Sequence, residues 1–187
     1  MIHSVRFTCV LDTNVIHPLT IRDLLFWFAW YNLYTPKWSG HIFNEWHSLM
    51  LRKGVSEKDA NIRLLNATKA FPDALVTNYE GLIDTLDLPD VNDKHVLAAA
   101  IKTNANVIVT NNLKDFPKDY LASFGLSAKS ADDFLTDIID LNIDTAVKAF
   151  KEMVLHRTNP DMDAYQVLDI LRNNGLNDTA EFLHSQL

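Results

Sequence analysis

The chain has 187 residues, 48% of them hydrophobic, with only 5 Gly and 6 Pro. That excludes a collagen-like or low-complexity chain and fits one domain, or one domain with a small appendage. Formal charge is −7, from 24 acids and 17 bases. This argues against a broad cationic saddle for duplex nucleic acid, but not against an RNA contact bridged by a metal ion. A domain of this size buries about 70% of its unfolded surface, so a self-sufficient core is expected. The lone Cys9 forms no internal disulfide, and zinc-type Cys/His spacing is absent from the sequence. The first ten residues, MIHSVRFTCV, carry no apolar leader, and the most hydrophobic run, LLFWFAWY at 24–31, is far short of a membrane span of about 20 residues. A cytoplasmic protein without a membrane role is expected.

Residues 5–11 (VRFTCVL) are β-branched and nearly continuously apolar, as in a strand covered on both faces. A polar turn, Asp12-Thr13-Asn14, follows, then a helix over 19–32 and a short strand over 32–35 before Pro36. Ser39 opens a helix to residue 51, with Ile42, Trp46, Leu49 and Met50 on one stripe. Ser56 caps the next helix, residues 74–77 (ALVT) read as a strand, 93–103 as a helix and 107–110 (VIVT) as a fourth strand. Strands alternating with helices predict parallel pairing, hence an α/β three-layer α/β/α sandwich with a short parallel sheet. From about residue 127 only helical patterns are read, over 131–141, 145–156, 164–173 and 178–185. Ser130 starts the first, Gly175 stops the third, and Asn159-Pro160 splits the four into two pairs. The expected division is an α/β domain at 1–126 and a helical C-terminal extension at 127–187.

Open parallel sheets bind ligands beyond the carboxyl ends of their strands. Asp12 and Asn14 follow the first strand, and Asn111, Asn112 and Asp115 follow the fourth. Asp93 shares a helix face with Val96, Leu97, Ala100 and Ile101, and Glu45 borders the apolar stripe of its helix. Each alone has an ordinary explanation: Asp12 as an Asx-turn or helix cap, Asp90 as a cap, Asp93 as a first-turn acid, Glu45 as a surface residue, Asn112 and Asp115 as turn formers. Gathered at one rim, such acids repel and raise one another's pKa unless a hard divalent cation joins them; oxygen ligands suit Mg²⁺ or Mn²⁺.

VLDTNV, the Glu of FNEWH, NDKHVLAAA and VIVTNNLKDF resemble, in order and spacing, the PIN-domain ribonucleases. IRDLLF, PKWS, FPDALV, LPD and NLKDFP are similar to stretches of VapC-type toxins with a helical C-terminal extension. The resemblance covers residues 5–126. It implies that Asp12, Glu45, Asp93 and Asp115 are the catalytic acids and metal ligands. It also implies metal-dependent RNA hydrolysis leaving a 5′-phosphate and 3′-hydroxyl, and a cognate antitoxin as partner. Asn112 departs from relatives that carry an acid there, which predicts a weaker second metal. Thr13, Asn14, Thr110 and Asn112 are candidate supporting groups, and Arg22, Lys94 and Lys114 candidate contacts to RNA backbone. His95 reads as a packed or surface histidine. The aromatic run 26–31 reads as a core or homodimer face rather than a base-stacking surface. The apolar stripes after residue 127 are read as packing on the α/β domain or on each other, with the helix pair after Pro160, around Tyr165, Leu168, Leu171, Phe182 and Leu183, as the candidate groove for an antitoxin segment. Truncation after Thr158 is expected to leave a soluble nuclease. Two other readings stay open: a PIN-shaped binding module without turnover, and a Mg²⁺ phosphohydrolase with an Asp nucleophile. The latter wants Asp-x-Asp where this chain has Asp12-Thr13-Asn14.

Overall fold

Three consecutive fully buried residues, Cys9, Val10 and Leu11, make β1 (Thr8–Leu11) the centre of the molecule. The structure, a computed structural model, describes residues 7–158 and 160–187. Residues 1–6, including the first two positions of the expected strand, and Asn159 of the expected break lie outside the described residues.

After β1 the chain makes α1 (Thr13–Ile16), α2 (Leu19–Trp30), β2 (Thr35–Ser39), α3 (Gly40–Arg52), α4 (Glu57–Ala70), β3 (Leu75–Val76) and α5 (Glu80–Ile83). A 3-10 turn (Val91–Asp93) leads into α6 (Lys94–Lys102), followed by β4 (Val107–Val109) and a second 3-10 turn (Leu113–Asp115). Then come α7 (Lys118–Ala122), β5 (Ser127–Lys129), α8 (Ala131–Leu141), α9 (Ile143–Leu155), α10 (Ala164–Asn173) and α11 (Asn177–His184). Among the described residues the five strands form one sheet in the order β3-β2-β1-β4-β5. All four pairings are parallel, with Cys9 opposite Pro36 on one side and Val107 on the other. Helices flank this sheet, as the alternating pattern predicts; α6 lies against β1, β2 and β4, and α8 against β5. No helix among the described residues is long and apolar enough to cross a membrane.

Three local expectations are corrected. The polar turn after β1 is a one-turn helix, because Asp12 accepts the Thr13 amide and sets its N-terminus. The second strand begins at Thr35 and runs through Pro36. Thr35 donates its amide to Phe7 and Trp38 donates to Ala74, so residue 36 faces the β3 side, and β3 begins only opposite Trp38. The missing N–H of Pro36 therefore costs no ladder bond. The tract after residue 127 is not purely helical either: Ser127–Lys129 pairs with β4 and covers its edge.

Caps sit where the sequence puts them. Ser39, Ser56 and Ser130 each accept the amide three residues on, and Gly175 takes φ +86° after α10. The apolar stripes of the last four helices are not left for a partner. Leu135, Phe150, Leu168, Leu171 and Leu183 are fully buried, with α11 packed on α8 and α10, and α9 along α2. Asp132 of α8 accepts the amides of Asp178 and Thr179 and so caps α11 from a neighbouring helix. The helix pair completes the core, so Leu168, Leu171 and Leu183 are not open to an antitoxin segment, while Tyr165 stays exposed.

Candidate metal centre

Asp12 leaves β1 in register, its amide donating to Val109 O at 3.0 Å. Its carboxylate, 4% exposed, accepts the Thr13 amide at 2.6 Å on Oδ1, and Asn14 Nδ2 at 2.6 Å and Thr110 Oγ1 at 2.7 Å on Oδ2. Thr110 Oγ1 in turn accepts Asn14 Nδ2 at 2.9 Å and the Asn112 amide at 3.0 Å. Asn14 Oδ1 accepts the Asn111 amide at 2.9 Å. One network thus ties the end of β1 to the loop after β4. Burial raises the Asp12 pKa, the bonds from Thr110 and Thr13 oppose it, and Glu45 adds to the rise.

Asp93 stands at the N-terminus of α6 yet makes no capping bond. Its Oδ2 accepts Asn112 Nδ2 at 3.2 Å. An acid at position 112 would not donate here and would add a further negative charge. Carboxylate oxygens of Asp90, Asp93 and Asp115 lie within 4.8 Å of one another. The two 3-10 turns build this group, and Asp90 also caps the first, accepting the Asn92 amide at 2.9 Å. Burial foremost, then the charges of Asp12, Asp90 and Asp115, push the Asp93 pKa up to about 6, His95 pulling the other way. Ligand oxygens around one Mg²⁺ at about 2.1 Å lie at most about 4.2 Å apart. Three half-buried hard donors within 4.8 Å of one another stand close to that span, and their number and chemistry suit such an ion.

Glu45, on α3, is pinned at both oxygens: Oε1 lies 2.8 Å from His95 Nε2, and Oε2 accepts Thr13 Oγ1 at 2.5 Å. Burial pushes its carboxyl up, but the bonds from His95 and Thr13 outweigh it and leave the pKa lowered. Thr13 therefore bridges Asp12, through its amide, and Glu45, through its hydroxyl. His95 is 7% exposed and stacks on His41, ring centroids 5.2 Å apart; His41 Nδ1 in turn meets the Tyr79 hydroxyl.

Residues 8–114 match the PIN domain family model, over half of the chain. The chain belongs to the PIN-domain family. Its residues 131–185 match a second model, the VapC50 C-terminal domain, in agreement with the expected VapC-type extension. The chain is 37% identical over 109 residues to a Mycobacterium tuberculosis protein named "Putative ribonuclease VapC50". That match covers 56% of this chain and 64% of the relative, so it spans less than two thirds of the relative's length. No solved structure matches the chain significantly.

In this PIN domain the sequence-selected groups fall into two linked clusters. Asp93 and Asp115 are joined by Asp90, which the sequence reading assigned only as a cap. Among the described residues neither Asp12 nor Glu45 enters a group of three that close. They form the second cluster, coupled to the first through Asn112 and through the charge of Asp12 on Asp93. A signal for Asp90 exists: in a 3-10 turn residues three apart eclipse, which brings Asp90 toward Asp93. Lys114 is well exposed, with Nζ 3.9 Å from Asp115, and Lys94 opens α6. Arg22 is corrected. It is 7% exposed, paired with Asp23 at 3.4 Å, and its guanidinium lies 5.2 Å from the centre of the Trp46 ring. It lines a separate cleft of about 380 Å³ with Phe26, Trp27 and Trp30, held there by cation–π attraction and burial.

The Asp93 pKa has a stability consequence. With its folded value near 6 against an ordinary 3.8, the neutral acid favours the fold fully below pH 3.8. That contribution is lost as pH rises through 6. In EDTA, Asp93→Asn is therefore expected to melt like the wild type near pH 4 and above it beyond pH 6.5. The gain is about 1–2 kcal/mol, after discounting for partial exposure. A variant less stable than wild type at pH 7 in thermal melts would make Asp93 a structural residue. Asp12→Asn is not expected to stabilise, because an amide nitrogen would face the donors Asn14 and Thr110.

Proposed function

We propose that this protein is a metal-dependent endoribonuclease and the toxin half of a toxin–antitoxin pair. The observation that carries the reading is one rim of a parallel sheet bearing Asp12, Glu45, Asp90, Asp93 and Asp115. The PIN-domain match and the relative named as a ribonuclease support it. Asp90, Asp93 and Asp115, with Asp12 beside them, would hold Mg²⁺ or Mn²⁺. When bound, such an ion supplies a Lewis acid for the scissile phosphate and its attacking water.

The chain's own groups do the rest. Glu45, kept ionised by His95 and Thr13, accepts a hydrogen bond from the attacking water and orients it. Water oxygen bonds to phosphorus and releases a proton, the P–O3′ bond breaks, and O3′ takes up a proton, so that the products carry a 5′-phosphate and a 3′-hydroxyl. Thr110 and Asn14 fix the Asp12 carboxylate against rotation, and Asn112 does so for Asp93. An aspartyl-nucleophile phosphohydrolase is disfavoured: the three donors on Asp12 restrain it, and Asn14 is committed to that network.

Incubation with a mixed small-RNA pool in Mn²⁺ should yield fragments that ligate through 5′-phosphates, with no cleavage in EDTA. Equal cleavage in EDTA, or cyclic-phosphate ends, would sink the proposed chemistry. Saturating Mn²⁺ should also raise the wild-type Tm, since 100-fold excess over Kd is worth about 2.7 kcal/mol. It should leave Asp93→Asn nearly unmoved. An equal rise in both, by differential scanning fluorimetry, would place the ion elsewhere.

A further inference from the structure

α3 has two chemically distinct faces. Ile42, Trp46 and Met50 are buried in the core, whereas His41, Asn44, Ser48 and Arg52 are exposed. Steps of three or four residues put these four on one ridge, about 16 Å long at 1.5 Å per residue. The ridge begins beside Glu45. With Thr13, Glu45 and Asn92 it walls a cleft of about 660 Å³, and Asn92 adjoins Asp93, so the cleft meets the carboxylate rim.

Among the described residues, the side chains of Asn44, Ser48 and Arg52 have no hydrogen-bond or ion-pair partner. Arg52 in the last turn complements the helix dipole, but that leaves its guanidinium free. A polyanion approaching five carboxylates is repelled near the rim and needs a cation set back from it; Arg52 supplies that charge at the far end of the ridge. Amide and hydroxyl groups lie between, suited to base edges and ribose 2′-hydroxyls of an unpaired strand. A duplex would demand a broader basic surface than this acidic chain carries.

We propose that this ridge of α3 is the track along which single-stranded RNA reaches the carboxylates. Arg52 takes a backbone phosphate, and Asn44 and Ser48 contact base edges or ribose hydroxyls. The proposal rests on the nuclease reading above. The test is fluorescence anisotropy with a labelled 12-nucleotide RNA of mixed sequence and its DNA counterpart, in Ca²⁺ at several salt concentrations, beside cleavage assays in Mn²⁺.

Arg52→Ala should weaken RNA binding about 3–10-fold and lower the slope of log K against log salt by about 0.7, the value for one phosphate on a single strand. Asn44→Ala with Ser48→Ala should narrow the preference for RNA over DNA. Lys151→Ala, on the exposed face of α9, should change neither. If wild type binds and cleaves while the ridge variants match it, or if Lys151→Ala loses as much as Arg52→Ala, the track is overturned and the nuclease reading stands. If wild type neither binds nor cleaves RNA, both fall. Matching melting temperatures show that the variants are folded.

Discussion

Asp12→Asn and Asp93→Asn are each expected to lower kcat/KM for RNA cleavage on the order of 10³-fold, as expected when a charge-stabilising group of the reaction is removed. The two should fail for different reasons. Asp93 contributes an oxygen to the group that would hold the cation, so its amide variant should lose the Mn²⁺-induced thermal shift together with activity. Asp12 stands beside that group and gathers three donors, so its variant should lose activity with part of the shift retained. Thr110→Val removes the donor that fixes Asp12 Oδ2, and a loss of about 10–100-fold is expected, the usual range for a group that orients a ligand. Glu45→Gln keeps the shape of the carboxylate but not its charge, and should impair kcat more than KM. Steady-state kinetics on one defined RNA separates these cases. Full activity in both Asp variants would remove the assignment altogether.

Leu168→Ala should cost about 2–5 kcal/mol, because Leu168 is fully buried and the helices around it leave the gap unfilled. For a chain of this size that corresponds to a fall of about 4–20 °C in Tm. Deleting residues 159–187 is a harsher version of the same change. It uncovers the face of α8 on which α11 packs, and it removes the partner that Asp132 caps. Aggregation on expression is the expected result, which reverses the sequence expectation of a soluble truncated nuclease. A monomeric, cooperatively melting 1–158 fragment in size-exclusion chromatography and thermal melts would show the last pair to be dispensable.

The sheet and the acids were legible because each leaves a local mark. β1 and β4 are nearly continuous apolar runs, and an acid at a strand's carboxyl end or on an apolar helix face conflicts with its surroundings in a way that sequence alone exposes. What stayed hidden depends on neighbours. β5, Ser-Ala-Lys, has no apolar alternation and is a strand only because the β4 edge offers it backbone partners. Pro36 looked like a strand's end, and is tolerated because β3 starts beyond it. Arg22 looked solvent-facing, yet the ring of Trp46, distant in sequence, holds it in the interior. The bond from His95 to Glu45 joins residues 50 positions apart, so periodicity along either helix gave no sign of it.

The central place of β1 bears on how the chain is made. β1 precedes the other four strands in the chain and occupies the middle of the sheet; Cys9 meets Pro36 early but gains its second partner only when Val107 arrives. Until then a growing chain holds its acids on separated segments, with the loop that carries Thr110 and Asp115 still unmade. Parallel sheets with distant pairings also form slowly. A ribosome-bound chain therefore carries its carboxylates unassembled until about residue 115 has emerged. The helices that seal the core, α8 to α11, follow later still in the chain, so the rim gains their support only once they too have emerged.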